Sequence, residues 1–156
     1  MTKEQIFEFI NKNPVFFLAT CEGNQPHVRA MQVYQADARG IIFNTRKTKS
    51  LHKQLMTNPS VELCFYNELD SIQVRIRGKV QLVQDPKFKA EAARKLPAAE
   101  SIILDEGPNG LAVYRLIEGK VRVWKISTEY VPRIMQSFQL DSIWMAMHMG
   151  NEPLLK

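Results

Sequence analysis

Apolar and polar positions along the chain fall into one opening helix, a series of short alternating runs, and a few sharp breaks. Ile6, Phe7, Phe9 and Ile10 share one side of a helix, and Thr2 followed by Gln5 has the spacing of a capping box at its start. Asn13-Pro14 ends it, because a residue before proline is pushed out of the helical region. Residues 15–20 are a β-forming run too short for a helix, and residues 21–25 make a turn by composition. Over residues 26–35, alternation puts His27, Arg29, Met31 and Val33 on one face and Val28, Ala30, Gln32 and Tyr34 on the other. Neither face is wholly apolar, and Arg29 needs an anionic partner unless it lies at the rim.

After a turn at residues 37–40, Ile41, Ile42 and Phe43 begin a strand, which passes into a short helix with Leu51 and Leu55 four apart, stopped at Asn58-Pro59. Residues 61–66 and 72–83 read as strands. In the second, Ile72, Val74 and Ile76 oppose Gln73, Arg75 and Arg77, and Gly78 marks a bulge or bend. Asp85 caps a helix with Pro86 in its first turn, ending at Pro97, and residues 98–110 are mixed with a loop at 107–110. Residues 111–117 and 121–126 alternate well, with Glu118-Gly119-Lys120 as the hairpin between them and Trp124 on the second strand. Beyond Thr128 the tail carries Phe138, Ile143, Trp144, Met145, Met147 and Met149, an apolar set expected to dock on the body or on a second subunit. Six or seven antiparallel strands and three helices make a mainly β, α+β fold: a Greek-key-like barrel with flanking helices.

A chain of 156 residues is long enough for one hydrophobic core and is read as one domain over residues 1–156. With 45% hydrophobic and 24% charged residues it falls outside the disordered class. No apolar run approaches the roughly 18 residues of a membrane span, and the first ten residues include acidic ones and no small-residue cleavage site, so a cytoplasmic location is expected. Cys21 and Cys64 lie in no metal-binding spacing and are expected to be free thiols. The net charge of +5 favours an anionic partner without choosing among nucleotide, nucleic acid and acidic metabolite.

The candidate chemistry concentrates in residues 43–59. Here a strand hands over to a helix through Arg46, Lys47 and Lys49, interleaved with the hydroxyls of Thr45, Thr48 and Ser50. Free backbone N–H groups, the positive end of the helix dipole and lysine ammoniums then converge on a phosphate-sized site. A solvated basic face is the competing explanation. No Ser-His-Asp order, HExxH or P-loop supports hydrolysis or ATP use, and His27 is read as structural.

Four segments in order carry a resemblance: Leu18-Ala19-Thr20, residues 23–33 (GNQPHVRAMQV), residues 41–59 (IIFNTRKTKSLHKQLMTNP) and residues 72–83 (IQVRIRGKVQLV). Together they cover about residues 5–127, leaving 128–156 as a tail, and the chain resembles the pyridoxamine 5′-phosphate oxidase-like family of FMN-binding split barrels. The resemblance implies a split barrel and a homodimer with FMN at the subunit interface. It implies that Arg29, Ala30, Met31 and Gln32 meet the flavin from the first FMN strand and that Asn44 and Thr45 match the end of the next. It places Lys49 and Ser50, with Lys47 as a stand-in, at the phosphate, and sets Gln73 and Trp124 near the ring, the latter from the partner chain. Tyr34 stands where the vitamin B6 oxidases have a substrate-binding lysine, and their arginine-leucine-x-proline ending is missing. The expectation is therefore an FMN-dependent flavin- or nitro-reductase-like oxidoreductase with a small-molecule substrate, not a true pyridoxamine phosphate oxidase. Rival ligands are F420 and haem. Rival functions are a non-catalytic flavin-binding or stress protein and, less favoured, a nucleic-acid-binding barrel using Arg75, Arg77 and Lys79 beside Phe65 and Tyr66.

Overall fold

The structure is a computed structural model describing residues 1–95, 97–125 and 136–140. Its elements are α1 (Lys3–Lys12), β1 (Val15–Glu22), β2 (Gln25–Asp37), β3 (Gly40–Arg46), α2 (Ser50–Thr57), β4 (Ser60–Asn67), β5 (Ile72–Leu82), α3 (Pro86–Lys95), α4 (Pro97–Glu106), β6 (Leu111–Lys125) and β7 (Gln136–Leu140), with a 3-10 turn at Pro108–Gly110. The capping box is present at α1, where the Thr2 hydroxyl accepts from the Gln5 N–H and the Gln5 side chain accepts from the Thr2 N–H. Asp85 does cap α3, accepting the Lys87 N–H at 2.9 Å.

The strands run in the order β3-β2-β1-β4-β5-β6, all antiparallel, and β3 pairs again with β6 to close a barrel. Strands β1 to β3 form a meander, and β4 returns through α2 to lie beside β1, which is the Greek-key order. Ile6 and Ile10 of α1 and Leu51 and Leu55 of α2 pack on the barrel core of Phe16, Leu18, Phe43, Leu63, Phe65, Ile76 and Tyr114. A second cluster lies outside the barrel, where Ala92 of α3 and Ala99 and Ile102 of α4 cover Ile42, Leu111 and Val113. Buried on both faces, β3 therefore carries the unbroken apolar run Ile41-Ile42-Phe43.

Three expectations are corrected. Residues 111–125 form one strand with no hairpin at Glu118-Gly119-Lys120. Its first half pairs with β3, its second half with β7, and Gly119 lies opposite Gly78 where the β5–β6 register slips by one residue. The slip is the bulge expected at Gly78, where an added Cβ would run into the Glu118 carbonyl oxygen. Second, residues 98–110 are largely helical, because Pro97 opens α4 as well as closing the segment before it. Third, Phe65 is fully buried and offers no stacking surface to a nucleic acid base. The apolar tail residues Phe138, Ile143, Trp144, Met145, Met147 and Met149 lie outside the described side chains, although the backbone of Gln136–Leu140 is strand.

Candidate functional site

Strand β2 is paired with β1 from Val15↔Gln32 to Glu22↔Gln25, but with β3 only from Val33 to Asp37. Strand β3 continues past Phe43 through Asn44, Thr45 and Arg46, paired there with β6 alone among the described residues. The two strands part beyond Val33 and Phe43, and a cleft of about 780 Å³ fills the gap. The Val33 N–H bonds toward β1, to Pro14 at 2.8 Å. Because successive residues of an antiparallel strand turn their backbone groups to opposite sides, the N–H and C=O of Ala30 and Gln32 face the open edge.

Across the cleft stands the start of α2. Lys49 is its N-cap residue in extended conformation, and among the described residues no side chain caps the first turn. The Lys47 N–H donates to the Gly110 carbonyl at 2.8 Å and the Lys49 N–H to Arg46 at 3.2 Å, which fixes the turn between β3 and α2. The N-terminal turn of α2, without a side-chain cap, and Lys49 thus line the cleft together, an arrangement suited to an anion.

Arg29, Ala30, Met31, Gln32, Asn44, Thr45, Lys49 and Ser50 line this one cleft, with Arg46, Leu51, Ser101 and Ile102. Lys47 does not line it. Gln73 and Trp124 are cross-strand neighbours on β5 and β6 in a separate hollow of about 330 Å³, shared with Arg75, Arg122 and Val123.

Arg29 is held by neutral groups, where its setting led us to expect an anionic partner. Its Nη1 donates to Thr20 Oγ1 at 2.7 Å and its Nη2 to Gln54 Oε1 at 2.7 Å. Thr20 donates to the same Gln54 oxygen at 2.8 Å, and Gln54 Nε2 donates to Glu22 at 3.1 Å. Burial pulls the Arg29 pKa down, but a guanidinium stays charged at any working pH, so a positive charge with no contacting carboxylate among the described residues sits at the cleft wall. Thr20 and Gln54 are both almost fully buried, and neither was anticipated as part of the site. Each had a signal: a polar residue in phase with the apolar face of its element, Thr20 after Phe16 and Leu18, Gln54 between Leu51 and Leu55.

Arg46 is committed elsewhere. It donates to Glu106 and to Asp105, each at 2.9 Å, and to Ser101 at 3.1 Å, tying α4 to the end of β3. The hydrogen bonds to Glu106 and then Asp105 raise its pKa. Thr48 also donates to Glu106, at 3.2 Å. On α2, His52 Nδ1 lies 2.8 Å from the hydroxyl of Tyr114, whose pKa burial pushes up to about 12. Tyr34 follows the β2 bulge to the outer face, where its hydroxyl donates to Glu91 of α3 at 3.3 Å. Among the described residues no three His, Cys, Asp or Glu side chains cluster as metal ligands, and no helix is long and apolar enough to cross a membrane. Cys21 and Cys64 are free thiols.

Comparison with known proteins matches residues 2–128 to the family model of pyridoxamine 5′-phosphate oxidase. A curated relative, the pyridoxine/pyridoxamine 5′-phosphate oxidase of Agrobacterium fabrum, is 27% identical over 126 residues, which are 81% of this chain and 59% of that protein. The chain thus spans less than two thirds of that relative's length. Among solved structures, a NimC/NimA family protein from Clostridium acetobutylicum superposes with a TM-score of 0.72 and 26% identity over 88% of this chain and 92% of the other. A pyridoxamine 5′-phosphate oxidase-related, FMN-binding protein from Nostoc punctiforme shares the fold, with a TM-score of 0.62 and 13% identity over 88% and 96% of the two chains. The matched segment contains the whole six-stranded barrel and the cleft between β2 and β3, and the chain belongs to the pyridoxamine 5′-phosphate oxidase-like family of FMN-binding split barrels.

Proposed function

We propose that this chain is an FMN-binding oxidoreductase acting as a homodimer on a small-molecule substrate other than pyridoxamine phosphate. The observation that carries the reading is the split between β2 and β3, which sets an unpaired backbone edge at Ala30 and Gln32 opposite an uncapped helix start bearing Lys49 and Ser50. A flavin mononucleotide has matching ends: a ring edge rich in hydrogen-bonding atoms and a terminal phosphate. The cleft volume lies in the range of small-molecule and cofactor sites. Lys49, Ser50 and the first N–H groups of α2 hold the phosphate, with Lys47 adding long-range charge. Arg29, Ala30, Met31 and Gln32 line the ring, and Asn44 and Thr45 floor the cleft between them. Gln73 and Trp124 lie outside this cleft and serve the ring bound by the other protomer.

When bound, the flavin supplies the electron-transfer chemistry. The protein's part is to orient the ring along the β2 edge, place the fixed positive charge of Arg29 beside it and keep the phosphate neutralised. Tyr34, engaged with Glu91 on the outer face, gives no substrate-binding cation there, which supports a substrate different from that of the vitamin B6 oxidases.

The test is the visible spectrum of the purified protein combined with mass spectrometry of any ligand released on denaturation. An oxidised-flavin spectrum with FMN mass supports the reading, and NAD(P)H-driven bleaching separates a reductase from a flavin carrier or stress protein. A protein that releases no FMN and binds none when it is added refutes it, and directs attention to F420 and then haem.

A further inference from the structure

We propose, resting on the reading of the β2–β3 cleft as the FMN site, that Gln54 is a positioning residue whose neutral amide fixes Arg29 while leaving its positive charge free for the ligand. Arg39 and Arg46 show the alternative. Arg39 is gripped by the carboxylates of Asp37 and Glu91, and Arg46 by those of Asp105 and Glu106, so each cancels much of its own field. Arg29 is held by two neutral oxygens from different elements, Thr20 Oγ1 of β1 and Gln54 Oε1 of α2, which stand 2.8 Å apart. The guanidinium meets both end-on, with Nη1 donating to Thr20 and Nη2 to Gln54 at 2.7 Å each. Nη1 makes longer contacts of 3.4 Å with the carbonyls of Leu18 and His27. The other edge of the guanidinium, Nε–H and the second N–H of Nη2, has no acceptor among the described residues, and Nε is open to solvent. In a residue that lines the cleft, that edge is a two-donor fork suited to an oxyanion.

The carboxylate nearest in this chain of bonds stands one side chain farther out. Gln54 Nε2 donates to Glu22 Oε2 at 3.1 Å, so the amide lies between carboxylate and guanidinium with its nitrogen toward one and its oxygen toward the other. The reverse orientation would set donor against donor at Arg29. His27 Nε2 lies 3.6 Å from the same Glu22 oxygen, and the Glu22 side chain is 68% exposed, so water screens its charge before it reaches Arg29. A carboxylate in the place of the Gln54 amide would accept the same two hydrogen bonds, from Arg29 and Thr20, but would make a buried ion pair and withdraw the charge from the cleft. Glutamine has the same shape and binds the guanidinium without neutralising it.

The experiment exchanges the two groups, Glu22→Gln together with Gln54→Glu. Net charge is preserved, a hydrogen bond between positions 22 and 54 is retained with its direction reversed, and the acceptor for Arg29 stays in place; only the negative charge moves, into contact with Arg29. FMN affinity is read by fluorescence quenching on protein freed of ligand, and stability by urea denaturation. The exchanged protein should be as stable as the wild type or more so, yet bind FMN roughly thirtyfold more weakly, as expected when a charge-assisted hydrogen bond to the ligand is given up. A merely structural Gln54 would make affinity follow stability. In an Arg29→Gln background the same exchange should change FMN affinity by no more than about twofold, because no charge is left to cancel. Gln54→Glu alone, with the exposed Glu22 able to swing away, repeats the test should the exchanged protein fail to fold. Unchanged FMN affinity on bringing the carboxylate to Arg29 overturns the proposal, and so does an equal loss with and without Arg29. A wild type that binds no FMN overturns the reading of the cleft along with it, whereas a wild type that binds FMN and is insensitive to the exchange overturns the role of Gln54 alone.

Discussion

Replacing Lys49 by Ala tests the phosphate end of the cleft against mere surface charge. Lys49 lines the cleft and is the N-cap residue of α2, whereas Lys47, two residues earlier, lies outside the lining and is fixed through its backbone N–H to Gly110. A hydrogen bond between a charged donor and an acceptor contributes about 1.5–3 kcal/mol. Coulomb's law at about 4 Å and an effective dielectric near 20 sets a ceiling of about 4 kcal/mol per unit charge, which exposure at the cleft mouth reduces. Lys49→Ala should therefore weaken FMN binding by about 2 kcal/mol, roughly thirtyfold in Kd. Lys47→Ala, acting through screened solvent, should change it by only about twofold. Riboflavin has the same ring and no phosphate, so its affinity should be nearly the same for wild type and both variants. Quenching of flavin fluorescence on titration measures all six affinities. Equal losses for FMN and riboflavin, or a larger effect at Lys47 than at Lys49, would refute the placement.

Gln54→Leu removes the shared acceptor of Arg29 and Thr20, and should lower stability by about 1–3 kcal/mol in urea denaturation, together with weaker binding of both flavins as Arg29 loses its orientation. Burial, then the charge of Lys47, holds the His52 pKa below 6.5. The unfolded chain thus takes up this proton first as the pH falls, so the His52 contribution is complete above pH 6.5 and is lost progressively below it. Denaturation at neutral and mildly acidic pH should show that loss in the wild type and a smaller one in His52→Gln. Gly40→Ala meets a φ of +112° and a Cβ 2.6 Å from the Leu116 carbonyl oxygen, and thermal melting should report a loss of at least about 2 kcal/mol.

Local signals carried much of this fold. The capping box of α1, the Asp85 cap and the bulge at Gly78 each depend on residues within a few positions of one another, and all three are present. The hairpin expected at Gly119 failed because a glycine between two alternating runs has two explanations, a turn or a close approach. Only Gly78, far away in sequence, selects the second. Helix α4 carries a weak local signal, because Ile102, Ile103 and Leu104 are consecutive and not helically spaced and Pro97 has the form of a helix stop as well as a helix start. At the cleft, Arg29, Thr45, Lys49 and Ser50 were legible through the strand and the basic turn, whereas Ala30, Met31, Gln32 and Asn44 were expected there only from the family resemblance. The neutral grip on Arg29 was not legible, since Thr20 and Gln54 reach it from two other elements. The diversion of Arg46 was likewise hidden, because its acidic partners stand on a helix that the sequence did not announce.

The closing ladder between β3 and β6 has a kinetic consequence. It joins Ile41 to Leu116 and Arg46 to Leu111, pairings that close long loops and so form slowly. The local meander β1-β2-β3 can assemble first, but the end of β3 past Phe43 has, among the described residues, no partner strand except β6. Until β6 arrives, Asn44 and Thr45 have no fixed position and the turn leading to Lys49 lacks its bond to Gly110. A ligand in this cleft therefore recognises the closed barrel and not its precursor. Added FMN should lower the unfolding rate in proportion to its occupancy while leaving the refolding rate nearly unchanged.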